Sequence, residues 1–223
     1  MELLGQKVFN MVGIKSADYY YVQEKGCLLS RDLNTDNRMF NCYDLSIMSA
    51  NTMNQVMSGL DRLSIKDGYK VDKVKLQVEI MHFIDILFSN IDRHLNNYGV
   101  YIKDGVGTLC VFDNGLLLEY FDCITKPQSC ITDKMFFCKI VEFEHFLKKL
   151  PLKLRLQLYK VYLMFTPSFV SELVNSVEKE SIIKLNSKKS TLMKYYKNYL
   201  LIGMVINKYI DYSDRKEIVK LYK

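Results

Sequence analysis

The chain has 223 residues, 49% apolar and 25% charged, with sixteen tyrosines, twelve phenylalanines and no tryptophan, the balance of an ordinary globular protein with room for one sizeable domain or two small lobes. Its net charge of +6 is spread along the sequence, and the densest basic stretch, Lys184 to Lys197, is broken by apolar residues, so it reads as a solvated helix face and a direct nucleic-acid partner is not expected. The uncharged apolar run around 200–206 is far too short to span a bilayer, which removes the membrane from the expected partners.

Residues 2–12 predict a short helix, with Leu3, Leu4, Val8 and Val12 near one face and Gly13 as its stop. Ala17–Gln23 and Cys27–Arg31 then predict two strands around Glu24-Lys25-Gly26, a hairpin signal. Residues 32–45 are polar and read as an irregular hinge. From about Leu45 helices dominate, and 74–88 carries apolar residues at 80, 81, 84, 87 and 88 before running into Ser89-Asn90-Ile91-Asp92. A second hairpin is expected over 98–113, and after Pro127 helices near 140–149, 152–165, 168–184 and 189–210. A small β-containing piece followed by a larger helical one makes the fold class α+β. The six cysteines form no CxxC pair and no zinc spacing, and Cys110 sits in the apolar run 108–112. With no signal peptide after Met1-Glu2, a reducing cytoplasm is the expected compartment.

The chemistry concentrates in Asn90 to Gly99 and in Val111-Phe112-Asp113-Asn114-Gly115. Tyr98–Lys103 and Thr108–Phe112 read as strands joined by the four residues Asp104 to Gly107. With Lys103 opposite Thr108, Tyr98 falls opposite Asp113 and Asn97 opposite Asn114, and residues so opposed lie about 5 Å apart. Asn97 and Asp113 would then converge as two oxygen ligands suited to a hard cation that keeps some waters and meets phosphates. Asp92 precedes Asn97 by five residues, the spacing protein kinases use between catalytic aspartate and metal-binding asparagine, with a later aspartate completing the metal site. Taken singly, Asp-Arg-His could be a surface ion pair and Asp-Asn-Gly an ordinary turn; the joint spacing favours the kinase-type site. His82 and His145 have no partners at ligand spacing. Asp85 reads as a helix polar position or a residue fixing the loop, and Asp122 as a loop acid.

At these residues the chain resembles a family. Asp92-Arg93-His94-Leu95-Asn96-Asn97 with Phe112-Asp113-Asn114-Gly115 is similar to the catalytic and metal-binding motifs of HipA-like kinases, and the related phosphatidylinositol-kinase-type enzymes also read Asp-Arg-His. Upstream, Glu2-Leu3, Val12-Gly13-Ile14 and Ala17 to Val22 look like the family's helix and following strands. The resemblance implies a protein-kinase-like fold, with an incomplete small β lobe over 1–32 and a mainly helical catalytic lobe over 33–223. It further implies Asp92 as catalytic base, His94 as a member of the catalytic loop, Asn97 and Asp113 as Mg²⁺ ligands, and Glu2 as the helix glutamate. The adenine of ATP would lie near Leu29 to Leu33, which makes Leu29 and Arg31 nucleotide-binding positions, and the acceptor would be a protein hydroxyl.

The family's glycine-rich loop and ATP-anchoring lysine are not found ahead of the helix; Lys7 and Lys15 read as solvent-facing residues. Two functions therefore stand side by side: a phosphotransferase, or a pseudokinase-type module that binds nucleotide or a partner chain able to supply the missing strands. Metal-dependent hydrolysis is a third class, without a histidine-rich or multi-carboxylate cluster to carry it.

Overall fold

A computed structural model of the chain describes residues 1–25, 27–31, 39–41, 53–90, 93–115, 117–118, 140–181, 184–185 and 187–220. The described residues gather into two compact units, one from within 1–82 and 91–117 and the other from within 83–90, 118 and 140–220.

The first unit opens with helix α1 (Glu2–Met11), which buries Leu3, Leu4, Gly5, Val8 and Phe9, an apolar stripe at helical spacing. Val12, expected on that face, instead follows the last helical turn. The helix stops because Gly13 adopts a φ of +74°. Its N–H then reaches the Asn10 carbonyl at 3.1 Å while Ile14 N–H reaches Phe9 at 3.0 Å, the paired bonds of a Schellman ending. A polar stripe, Glu2, Gln6 and Asn10, runs along α1 at intervals of four residues and serves the chain that follows. Asn10 Oδ1 accepts from Ser16 N–H at 3.3 Å and Gln6 Oε1 from Tyr19 N–H at 3.2 Å.

Strand β1 (Lys15–Ser16) joins a four-stranded sheet, while β2 (Tyr19–Val22) and β3 (Cys27–Ser30) form a separate antiparallel hairpin. Residues 39–41, expected to be irregular, form strand β4 (Met39–Asn41) instead. Three residues are too few to show a two-residue period, and this strand exists because the neighbouring edge offers free ladder groups. Helices α2 (Met53–Asp67) and α3 (Asp72–Phe88) follow, bridged by the Lys75–Asp61 ion pair. On α3, Gln77 is buried and uses both ends of its amide: Nε2 donates to the Gly13 carbonyl at 2.6 Å and Oε1 accepts from Leu109 N–H at 3.0 Å. His82 is also buried, and burial holds its imidazole down to about 3, so it is a neutral core residue near pH 7.

Strands β5 (Tyr98–Lys103) and β6 (Val106–Val111) complete the sheet in the order β1-β6-β5-β4. Here the expected register is corrected. Lys103 pairs with Val106 and Tyr98 with Val111, because the turn is two residues long rather than four. Asp104 and Gly105 both have positive φ, 51° and 74°, as a two-residue type I′ hairpin demands, and Asp-Gly is a favoured pair for it. The slip is an even number of positions, so every side chain keeps its predicted face. Lys15, expected to face solvent, is exposed but lies over the Tyr101 ring at 4.6 Å. Cys110 is buried and unpaired with any other cysteine, as its apolar surroundings suggested.

The second unit is helical: α4 (Ile140–Lys149), α5 (Leu152–Met164), α6 (Pro167–Ser181), α7 (Lys188–Ile206) and α8 (Tyr212–Lys220). Helix α7 ends at Ile206 rather than near 210, and α8 was not anticipated. It is short and predominantly polar, so neither length nor apolar periodicity announces it. Tyr195 on α7 is buried and donates to the Phe165 carbonyl at 2.7 Å, with the Phe88 ring 5.2 Å from both Phe165 and Tyr195. Asn198 Nδ2 donates to the carbonyls of Ile86 at 3.1 Å and Leu87 at 2.9 Å, satisfying last-turn groups that α3 cannot pair internally. Among the described residues no helix is long and apolar enough to cross a membrane.

Candidate functional site

Glu2, Asn97 and Asp113 sit where α1, β2 and the open end of the β5–β6 hairpin meet, all in the first unit. Asp92 lies outside the described residues. Just before it, Asp85 Oδ1 accepts from Asn90 Nδ2 at 2.8 Å and the Asp85 carbonyl accepts from Asn90 N–H at 2.8 Å. Asp85 thus fixes the point where α3 hands over to the loop. His94 caps the single 3₁₀ turn Leu95–Asn97, its Nδ1 accepting from Asn96 N–H at 3.2 Å, which is a loop-shaping role.

Asn97 extends the ladder by one position, its carbonyl accepting from Phe112 N–H at 2.9 Å. Asn97 is therefore opposite Phe112, not Asn114, and Asp113 is the next residue along. Asn97 is buried and Asp113 exposed. Asp113 sits at a φ of 53°, a left-handed conformation that aspartate tolerates better than most side chains. The corrected register keeps Asn97 and Asp113 one step apart at the mouth of the hairpin.

Arg93 holds this end together. It is only 1% exposed; Nη1 donates to the carbonyls of Asn97 at 3.0 Å and Phe112 at 3.1 Å, and Nη2 to Asn114 Oδ1 at 2.6 Å. Its guanidinium lies 5.3 Å from the Phe9 ring of α1, a cation–π contact in which the desolvated charge faces an aromatic surface. The planar fork lets one side chain tie both hairpin strands and the turn, which a lysine cannot do.

Helix α1 grips the turn from the other side. Glu2 Oε2 accepts from Asn114 N–H at 2.7 Å and Tyr19 Oη from Asp113 N–H at 3.1 Å. Burial raises the Glu2 carboxyl above its ordinary range, and the Asp113 charge adds to this while the Asn114 and Tyr19 donors oppose it. Burial likewise pushes the Tyr19 phenol up to about 12, opposed by the Asp113 N–H and aided by the charges of Glu2 and Asp113. Close approach depends on Gly5, where a Cβ would meet Asn114 Cβ at 2.3 Å.

Leu29 pairs with Tyr20 within the β2–β3 hairpin and is 40% exposed, and Arg31 N–H closes that hairpin on the Asp18 carbonyl at 2.9 Å. The bonds described for these two stay within the hairpin. Residues 32 and 33 of the expected adenine region lie outside the described residues. Sequence reasoning missed Tyr19, read there as one strand residue of a tyrosine run, and Arg93, passed over inside its own motif. It also missed Asn114, taken as a turn former. An arginine flanked by polar motif residues and followed by an apolar strand was the available signal for Arg93. Among the described residues, no three His, Cys, Asp or Glu side chains are grouped so that they could hold a metal ion, so a multi-carboxylate centre is not formed there.

No family model and no curated protein matches the sequence. The fold, however, defines a class. The chain is similar to a kinase crystal structure, with a TM-score of 0.65 and 15% identity over 99% of this chain and 83% of the other. That structure is the Helicobacter pylori proinflammatory kinase CtkA. The likeness shows a kinase-like fold, mixed α+β and mostly helical with small sheets.

Proposed function

We propose that this chain is a phosphotransferase of the HipA-like kind, moving the γ-phosphoryl group of ATP to a protein hydroxyl with Mg²⁺. The observation that carries the reading is the placement of Asn97 and Asp113 one ladder step apart, on a turn whose backbone is clamped by α1 and β2. A buried amide beside an exposed carboxylate is a donor set that fits Mg²⁺, an ion that keeps several waters and binds through one or two carboxylates plus phosphates. Asn97 and Asp113 would hold the metal, which when bound neutralises phosphate charge.

In this reading Asp92 accepts the proton of the incoming hydroxyl as its oxygen forms the new P–O bond and the bond to ADP breaks. A carboxylate suits that role by orienting the hydroxyl as well as taking its proton. His94 shapes the loop that carries Asp92 and Asn97. Arg93, whose donors go to two carbonyls and a side-chain amide oxygen, keeps both strands of the site in register. Leu29 and Arg31 are assigned to the nucleotide by resemblance alone.

A second reading, a nucleotide- or partner-binding module without turnover, has one observation behind it. Among the described residues the Glu2 carboxylate accepts from Asn114 N–H at 2.7 Å and is ion-paired with no lysine. The two readings separate in a radiolabelled ATP assay on the full chain with Mg²⁺, using Asp92→Asn and Asp113→Asn as controls. Label transfer abolished by both substitutions supports the phosphotransferase. Mg²⁺-dependent nucleotide binding without transfer supports the module. No binding in the presence of Mg²⁺ removes both.

A further inference from the structure

Two successive backbone N–H groups of the metal-site turn end on two side chains: Asp113 N–H donates to Tyr19 Oη at 3.1 Å and Asn114 N–H to the Glu2 carboxylate at 2.7 Å. Glu2 comes from α1 and Tyr19 from β2, so the two bonds tie two elements to one turn. Both are themselves fastened by the Gln6 to Tyr19 and Asn10 to Ser16 bonds.

We infer that Tyr19 is a positioning residue for the metal-binding turn, holding Asp113 in its left-handed conformation by accepting its N–H while Glu2 accepts that of Asn114. The inference rests on the kinase-type reading of Asn97 and Asp113 and goes beyond it by assigning a residue that the motifs do not contain. The physical need is specific. A non-glycine residue at positive φ persists only where its surroundings over-determine it, and Asp113 has a φ of 53°. Two adjacent N–H groups, each held by one of these side chains, fix the peptide planes on either side of Asp113, and with them the direction in which the exposed Asp113 side chain leaves the backbone. A charge-assisted acceptor at Asn114 makes that constraint stronger than a neutral one.

The test uses the full chain, with Tyr19→Phe removing only the hydroxyl and Tyr20→Phe, an exposed neighbour on the same strand, as the control. Three quantities are read: hydrogen exchange at the Asp113 and Asn114 amides, the thermal midpoint, and calorimetric affinity for a non-hydrolysable ATP analogue with and without Mn²⁺. Tyr19→Phe is expected to speed exchange at Asp113 and to weaken analogue binding roughly tenfold with Mn²⁺, the scale of one hydrogen bond in a charge-assisted set. Binding without Mn²⁺ and the thermal midpoint should change little, and Tyr20→Phe should match the parent in every measurement. Faster exchange with unchanged Mn²⁺-dependent binding overturns the positioning role and leaves the kinase reading standing. Equal weakening with and without Mn²⁺ also overturns it, since that marks a general structural role. If the parent chain shows no Mn²⁺-dependent binding at all, the kinase reading fails and the positioning role falls with it.

Discussion

Arg93 donates to the side chain of Asn114 at 2.6 Å across the mouth of the hairpin, while its other nitrogen serves the carbonyls of Asn97 and Phe112. One buried side chain therefore satisfies acceptors on both strands and on the turn. This arrangement links the stability of the sheet's end to the geometry of the turn at Asp113 and Asn114.

Replacing Arg93 with Met keeps length and apolar contact with Phe9 but removes the donor of the Phe112 carbonyl and of Asn114 Oδ1, while the Asn97 carbonyl keeps Phe112 N–H. Each group left without its donor costs about 1–3 kcal/mol, and since the bonds share one side chain the total is expected at roughly 3–4 kcal/mol. Arg93→Lys should recover only part of it, because an ammonium cannot reproduce the fork. Urea unfolding at neutral pH measures both variants, and a loss below about 1 kcal/mol for the Met variant would contradict the bridging role.

Gly5→Ala offers an opposite sign from ordinary helix behaviour. In an exposed helix interior the change stabilises by up to about 1 kcal/mol. Here the added Cβ would meet Asn114 Cβ at 2.3 Å and Cγ at 2.9 Å, and Asn114 is buried and bonded on both its backbone and its side chain. The turn has little room to retreat. A destabilisation of about 1–3 kcal/mol is expected, together with weaker Mg²⁺-dependent nucleotide binding. Unfolding and binding measured on the same preparation check whether the two losses travel together.

How much of this was legible in the sequence follows from what each feature depends on. The α1 ending was readable because Gly13 is a local requirement. Helices α4 to α6 were readable because their boundaries are marked by prolines and periodicity. The hairpin's existence was readable from its apolar runs, but its register was miscounted because Asp104-Gly105 and the glycine at 107 both look like turn material. Only the two positive φ values decide between them. Arg93, Tyr19 and Glu2 form contacts separated by up to 112 positions along the chain, and nothing local announces which polar groups will meet. Spacing singled out Asn97 and Asp113 and the resemblance singled out Glu2, while Arg93 and Tyr19, which bond the same turn, were passed over.

Asn198→Asp tests the tie from α7 to the end of α3 in the second unit. The amide nitrogen that now donates to Ile86 and Leu87 carbonyls would become an oxygen facing two oxygens. The loss of donors and the buried charge together are expected to cost about 2–4 kcal/mol near neutral pH. Asn198→Ala should cost less, since it removes the donor without adding a repulsion. Acidification provides an internal check: protonating the new carboxyl restores a donor, so the Asp variant should regain stability relative to the Ala variant as pH falls. An Asp variant no worse than the Ala variant at pH 7 would contradict the assigned orientation of the Asn198 amide.

Glu79 on α3 gives the clearest pH dependence. Burial raises its carboxyl from 4.5 to about 7, and its Oε2 has no hydrogen-bond partner among the described residues. The folded state therefore holds a proton that the unfolded chain has already released between those two values. Stability contributed at this position is greatest below the unfolded value, declines as pH rises through the window, and levels off above the folded one. Glu79→Gln, neutral at every pH, should leave stability nearly unchanged near pH 4 and raise it near pH 8, by at most about 3–4 kcal/mol from the size of the shift. Partial exposure of the carboxyl and relaxation around it will reduce that figure. Thermal unfolding of parent and variant across pH 4 to 8 tests the sign directly: curves that run parallel, or a parent that gains on the variant as pH rises, would show that Glu79 is ionised in the fold at neutral pH and that burial does not control its proton.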